Sequence, residues 1–177
     1  YVLQNEVKNW DTTPGRIALQ AQDVPVDFRD IVLWPLPDPK HPPVYPTLPG
    51  LAGWHVTGHG TWTYKDGIIE GKQSKEIKTY THLGTDESYH NFIATLKYKC
   101  YAGNSGVYFR IIVDSTGNVH GFQAEIEVVR DAGGLYESWG RSWVSPPSKA
   151  DVAKHFKIKQ WNDMKVEAKG PHVIVWV

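Results

Sequence analysis

Gly103-Asn104-Ser105-Gly106-Val107-Tyr108-Phe109-Arg110 and, a little further on, Gly121-Phe122-Gln123-Ala124-Glu125-Ile126-Glu127 are the two runs that decide the fold. Side chains alternate across a strand. In the first run Val107, Phe109 and Ile111 therefore point one way and Tyr108 and Arg110 the other; in the second, Phe122, Ala124, Ile126 and Val128 oppose Gln123, Glu125 and Glu127. Each run has an apolar face for a core and a face of carboxylate, amide, phenol and guanidinium for solvent. An ordinary antiparallel sheet also carries charge on its wet side. Here the polar groups are gathered beside a glycine-rich turn, where backbone can approach a ligand closely, and such a surface suits a sugar.

The same rhythm extends along the chain. Strand-like runs cover Tyr1 to Val7, Arg16 to Gln22, Val26 to Trp34, Trp54 to Thr57, Gly60 to Tyr64, Ile68 to Gly71, Phe92 to Cys100, Gly106 to Val113, Phe122 to Arg130, Asn162 to Ala168 and His172 to Val177. They are short and separated by Gly, Pro, Asn and Asp, the pattern of an all-β sandwich. Lys65-Asp66-Gly67 and Lys169-Gly170-Pro171 read as tight hairpin turns. Only Ser148 to His155 reads as a helix, with Ser148 as its cap. Pro35 to Pro49 holds seven prolines and reads as an extended connector. Asp131 to Pro147 is long and rich in Gly, Tyr, Trp and Arg, a composition that points to a functional loop.

Composition narrows the function. A chain of 177 residues is most simply one domain, and Lys plus Arg balances Asp plus Glu at 19 each. Neither nucleic acid nor a membrane surface is an expected partner, because no field of one sign would recruit it. A neutral carbohydrate is. The 8 Trp and 9 Tyr supply faces that stack on pyranose rings, although most are expected in the core. The single cysteine, Cys100, reads as buried filler, and the histidines lack any His-Glu-x-x-His spacing, so neither a metal nor another cofactor is expected. The 177 residues contain neither a signal-peptide pattern nor an apolar span long enough for a bilayer. A periplasmic or secreted protein would have had its leader removed.

Gly103 to Arg110, Gly-Phe-Gln-Ala-Glu-Ile at 121 to 126, Gly-Gly-Leu-Tyr-Glu at 133 to 137 and Trp-Asn-Asp-Met-Lys-Val-Glu-Ala-Lys-Gly at 161 to 170 together resemble the 3-keto-disaccharide hydrolase domain family. The resemblance implies a concanavalin A-like, two-sheet antiparallel jelly-roll sandwich acting on glycosides oxidised at C3. It also implies a displaced segment. Residues 1–36 resemble the family's closing strands, 37–52 form the Pro-rich connector, and 53–177 resemble its opening and central part. The order is that of a circular permutation, in which Tyr1 to Val7 should lie beside His172 to Val177.

Cleaving a 3-keto-glycoside requires a base for the C2 proton, a cation or donor for the developing enolate, and an acid for the leaving oxygen. On the polar surface read above, the candidates for these roles are Glu125, or Glu127 beside it, as the base, Arg110 as the electrostatic partner, and Tyr108, Tyr136 or His120 as the acid, and the family correspondence does not choose among them. Arg110, Gln123 and Glu125 are expected in one groove, roofed by part of Asp131 to Trp143, with Asp131, Glu137, Trp139 and Arg141 as its wall or clamp. Lys97 and Lys99 read as solvated strand lysines. Two rivals stand beside this expectation: a conventional retaining glycosidase using Glu125 and Glu127, whose carboxylates would need to lie roughly 5 Å apart, and a noncatalytic carbohydrate-binding module.

Overall fold

A computed structural model describes residues 4–8, 11–38, 40, 50–77, 79–128 and 130–177. The strands are β1 (Gln4–Val7), β2 (Arg16–Gln22), β3 (Val26–Pro35), β4 (Trp54–Gly58), β5 (Gly60–Lys65), β6 (Ile68–Gln73), β7 (Thr81–Thr85), β8 (Phe92–Cys100), β9 (Asn104–Val113), β10 (Val119–Glu127), β11 (Leu135–Ser138), β12 (Ser142–Ser145), β13 (Asn162–Lys169) and β14 (His172–Trp176), with one helix, α1 (Lys149–His155). They form two seven-stranded antiparallel sheets, ordered β1-β14-β13-β8-β3-β6-β5 and β12-β11-β10-β9-β2-β7-β4. This is the concanavalin A-like sandwich, and among the described residues no helix is long and apolar enough to cross a membrane.

Alternation explains how the layers close. β8 buries Phe92, Ala94, Leu96 and Tyr98 on one side, and β10 buries Phe122, Ala124 and Ile126. These inner faces meet, with Phe92 edge-on to Phe109 at 5.9 Å and Phe109 packed on Phe122 at 5.8 Å. Each such ring contributes about 1.5–3 kcal/mol by leaving water, so the ring column is a large part of what holds the sheets together. The hairpin at 66–67 turns through left-handed Asp66 and Gly67, with φ of 51° and 79°. Ser148 caps α1 by accepting from the Asp151 amide. Cys100 is buried as expected and its thiol donates to the Ala102 carbonyl at 3.2 Å.

Within residues 4–35, β2 and β3 are interior strands and β1 is an edge strand. β2 lies between β9 and β7 in the second sheet, β3 between β8 and β6 in the first, and β1 pairs with β14 in the register Gln4 to Trp176. The expected neighbour relation between the first and last strands is thus found for Gln4–Val7; Tyr1 to Leu3 and most of the Pro-rich connector lie outside the described residues.

Two expectations change. Thr81–Thr85 is a strand although its Thr-His-Leu-Gly-Thr sequence has only one aliphatic side chain, because neighbours on both faces bury every residue of it. The stretch 131–147 is not a free loop: β11 and β12 extend the second sheet from it, so Trp143 and Tyr136 are cross-strand partners. Lys97 and Lys99 are, as expected, solvent-side lysines of the first sheet, paired with Asp163 at 2.6 Å and Asp27 at 3.4 Å, away from the second sheet's polar face.

Candidate functional site

The outer face of the second sheet can be followed row by row. Thr57, His82, Gln20, Gly106 and Glu125 are successive register partners across β4, β7, β2, β9 and β10. In the adjacent row stand His55, Gly84, Ala18, Tyr108, Gln123, Tyr136 and Trp143, reaching β12. Small residues in both rows leave room for long neighbours. A Cβ on Gly106 would lie 2.5 Å from the Gln123 amide, so the glycine is what allows that side chain to lie flat across the floor.

Over this floor lies a cavity of about 540 Å³, within the roughly 300–1,000 Å³ common for small-molecule sites. Of the side chains expected in the site, Tyr108, Gln123, Glu125, Asp131, Tyr136 and Trp139 line it. Gln20, Tyr80, Asn104, Arg130, Ser138, Gly140, Ser142 and Trp143 complete the lining. Sequence alone gave little signal for several of these. Gln20 belongs to the displaced N-terminal segment, and Tyr80 follows the short strandless stretch before β7. Asn104 lies inside the quoted motif, three residues ahead of Val107, where the alternating pattern begins.

Glu125 is the most perturbed acid of the cavity. It is 3% exposed, and its one side-chain donor among the described residues is Asn104 Nδ2. Burial pushes its carboxyl up to about 8, against the pull of the Asn104 hydrogen bond and with help from the charges of Asp131 and Glu127. Tyr108 is held by two neighbours: Gln20 Nε2 donates to its oxygen at 3.2 Å, and Ser138 Oγ lies 3.0 Å away. Burial raises the Tyr108 phenol well above its ordinary value. Gln123 Nε2 donates to Gln20 Oε1 at 3.3 Å and to the Ser105 carbonyl at 3.2 Å, which fixes the orientation of its amide.

A second cavity, about 580 Å³, adjoins the first. Tyr80, Tyr108, Ser138 and Trp139 line both, and His82, His59, Thr57, Thr116 and Asn118 line only the second. Trp139 stands 70% exposed at the junction, with a left-handed φ of 59°.

The remaining expected site residues are elsewhere. Glu127 accepts from the Arg130 amide at 2.8 Å and lines neither cavity. His120 Nε2 meets Asp114 at 2.8 Å, its ring 5.9 Å from Trp139. Glu137 and Arg141 bond each other across the β11–β12 turn, so they shape the clamp without lining it.

Arg110 corrects the strand-parity expectation. Its φ is +52°, and both neighbouring strands skip register beside it, at Arg16/Ala18 and at His120/Phe122. This β-bulge takes up one extra residue, so Ile111 falls on the Tyr108 side with Ala18 and Val119. Gly15 permits the bulge, since a Cβ there would lie 2.4 Å from the Arg110 carbonyl carbon. The guanidinium leaves the polar face and donates to the carbonyls of Asp11, His90 at 2.9 Å and Gly170 at 2.8 Å. Arg110 joins three loops and does not meet Gln123 and Glu125 in the groove. The cation that does line the Glu125 cavity is Arg130, whose Nε lies 3.1 Å from Asp131.

Among the described residues no three His, Cys, Asp or Glu side chains are gathered as a metal-binding group. The family model described as a 3-keto-alpha-glucoside-1,2-lyase-like domain matches residues 49–177. No curated protein matches the chain.

Proposed function

The chain belongs to the 3-keto-alpha-glucoside-1,2-lyase-like domain family, a family of glycoside-processing domains, and from that membership we propose that the Glu125 cavity cleaves glycosides whose C3 hydroxyl has been oxidised to a ketone. The observation that carries this reading is Glu125 itself, a buried carboxyl pushed up to about 8 on the wall of a sugar-sized cavity. Such a group is a stronger base than an ordinary carboxylate and still ionises under mild conditions.

The C3 ketone acidifies the C2 hydrogen. Glu125 takes that proton, the electron pair passes to the C3 oxygen as an enolate, and its return expels the C1 oxygen and forms the C1–C2 double bond. Water added across that bond completes a net hydrolysis. The guanidinium of Arg130 and the donors of Asn104 and Tyr136 are the groups available to the enolate oxygen. In an α-glucoside the C2 hydrogen and the C1 substituent project from opposite faces of the ring, so the acid must be a different group from the base. Tyr108 suits that role. Burial keeps its phenol protonated, and the Gln20 donor to its oxygen leaves the phenolic proton for Ser138 or for a leaving oxygen. Glu125 and Tyr108 flank the Gln123 amide in register, so a ring set on edge over Gln123 meets one of them on each side.

Turnover of methyl 3-keto-α-glucoside and of its unoxidised parent tests the reading. Wild type should cleave the ketone, and Glu125→Gln should lower that rate by roughly 100-fold or more, the usual worth of a positioned base. A near-wild-type rate in the variant removes Glu125 from the mechanism. Faster cleavage of the parent favours a conventional glycosidase, for which Glu125 and Asp131, two carboxylates on one cavity, give a footing. Binding of the parent without turnover of either favours a lectin-like module.

The permuted segment order belongs to the same reading. It is supported by β1, β2 and β3, which precede the matched residues and complete sheets whose other strands all lie within the match. An exported location, periplasmic or secreted, fits glycosides met outside the cell.

A further inference from the structure

The rim of the Glu125 cavity is more apolar than its floor. Tyr80, Trp139 and Trp143 line it, and they are left 55%, 70% and 40% exposed. Trp139 is the most exposed of the three and lines the second cavity as well. Its ring leans on that of His120, with 5.9 Å between centroids, and His120 is tethered in turn to Asp114 at 2.8 Å. His120 lines neither cavity. The indole therefore rests at the junction against a side chain that belongs to neither.

The backbone that carries it is strained. Trp139 and Ser142 both have left-handed φ, 59° and 65°, and neither is a glycine. Bulky side chains rarely occupy that region, so the β11–β12 tip stores energy that an ordinary turn would not. A dedicated brace keeps it in this shape. The Gly140 amide donates to the Glu137 carbonyl at 3.4 Å, the Arg141 amide donates to the Glu137 carboxylate at 3.2 Å, and Arg141 Nε donates to the same carboxylate. Gly140 is required there, because a Cβ would lie 2.4 Å from Glu137 Cδ. Strain held at a residue whose ring stays in water adds nothing to the core. Its neighbour Ser138 lies 3.0 Å from the Tyr108 oxygen, so the tip is joined directly to the proposed acid.

We propose that the β11–β12 tip is a lid whose moving part is Trp139. The indole waits on His120 in the free protein and closes over the Glu125 cavity when a ligand lies on the Gln123 floor, releasing the left-handed strain as it moves. The position of that ligand rests on the function proposed above. Closure sets the indole against the ligand and shuts water away from Glu125 and Tyr108 while the protons move.

Trp139→Gly removes the lid and accepts the left-handed φ without strain. Two opposite effects are expected from it. Tm should hold or rise, by up to about 4 °C, while kcat/KM for methyl 3-keto-α-glucoside should fall roughly 10-fold, with kcat and KM both changed. Trp139→Phe keeps a ring and the strain, so it should recover most of the rate with no gain in Tm. Closure itself is read by acrylamide quenching, with the emission of Trp139 taken as the difference between wild type and Trp139→Phe. That emission should be quenched freely in the free protein and protected several-fold by saturating methyl α-glucoside, or by methyl 3-keto-α-glucoside when both proteins carry Glu125→Gln. A clear fall of Tm in Trp139→Gly makes the residue structural and overturns the proposal. So does quenching that neither sugar changes at any concentration. Protection by the unoxidised sugar, without turnover of the ketone by wild type, keeps the lid and rejects the lyase reading. Turnover of the ketone that Trp139→Gly leaves intact keeps the lyase reading and overturns the lid.

Discussion

Glu125 and Arg110 ride on the same two-stranded ribbon, β9 and β10, and are withdrawn from water to the same degree, 3% and 4% exposed. Their surroundings are opposite. The Arg110 guanidinium has its hydrogens directed at the carbonyls of Asp11, His90 and Gly170, so the charge is solvated by protein in place of water. Glu125 has Asn104 as its side-chain donor and otherwise faces a cavity. Burial shifts both, the arginine down to about 10 and the glutamate up to about 8. The arginine stays charged at neutral pH, whereas the glutamate is brought to the edge of ionisation. Burial alone does not distinguish a strut from a reactive group. The completeness of the partner set does.

The largest effect expected from this contrast is on stability at Arg110. Arg110→Met leaves buried carbonyls without a donor and should cost roughly 3 kcal/mol or more, lowering Tm by about 6–12 °C at 2–4 °C per kcal/mol. The fraction still folded should turn over substrate within a few-fold of wild type. If Tm is unchanged and turnover is lost, Arg110 belongs with the chemistry after all.

Glu125→Gln should act on stability in the other direction. A carboxyl whose folded value lies above its ordinary 4.5 is favoured by folding in its protonated form. Wild type therefore loses stability as pH rises from 4.5 toward about 8 and loses no more beyond. The variant lacks that loss, so its Tm should exceed that of wild type by several degrees at pH 9, with the gap closing as pH falls toward 4.5. A gap independent of pH means that Glu125 does not titrate in this window. Smallest is Asn104→Ala. It removes the hydrogen bond that favours the carboxylate, so the rising limb of the kcat/KM pH profile should move to higher pH by about one unit. A limb that stays in place assigns the titration to another group.

How much of this was legible in the sequence follows from how local each signal is. β8 alternates without interruption, and the inward Phe122, Ala124 and Ile126 of β10 are those that a period of two selects. The polar run Gln123, Glu125 was legible for the same reason. Arg110 was not, because a bulge is a single inserted residue whose cause lies partly in Gly15, almost a hundred positions earlier. β7 escaped because a strand buried by its neighbours on both faces need not alternate. β11 and β12 escaped because Gly, Tyr and Trp suit a loop and an edge hairpin equally well. Gln20 and His82 reach the site through the sheet order, a relation between distant segments that no local window contains.

That sheet order also governs when the protein can form. β2 and β3 precede all of their neighbours in sequence, which are β7 and β9, and β6 and β8, while β1 must await β14. Of the pairings made by these three strands, none joins them to the next strand in sequence. Long loops must therefore close before the central strands gain their contacts, which is the situation that slows folding through high contact order. Until then the most apolar early segments, Ile17 to Ala21 among them, stay unpaired and sticky. The time for which these segments stay exposed is thus set by the middle of the sheets.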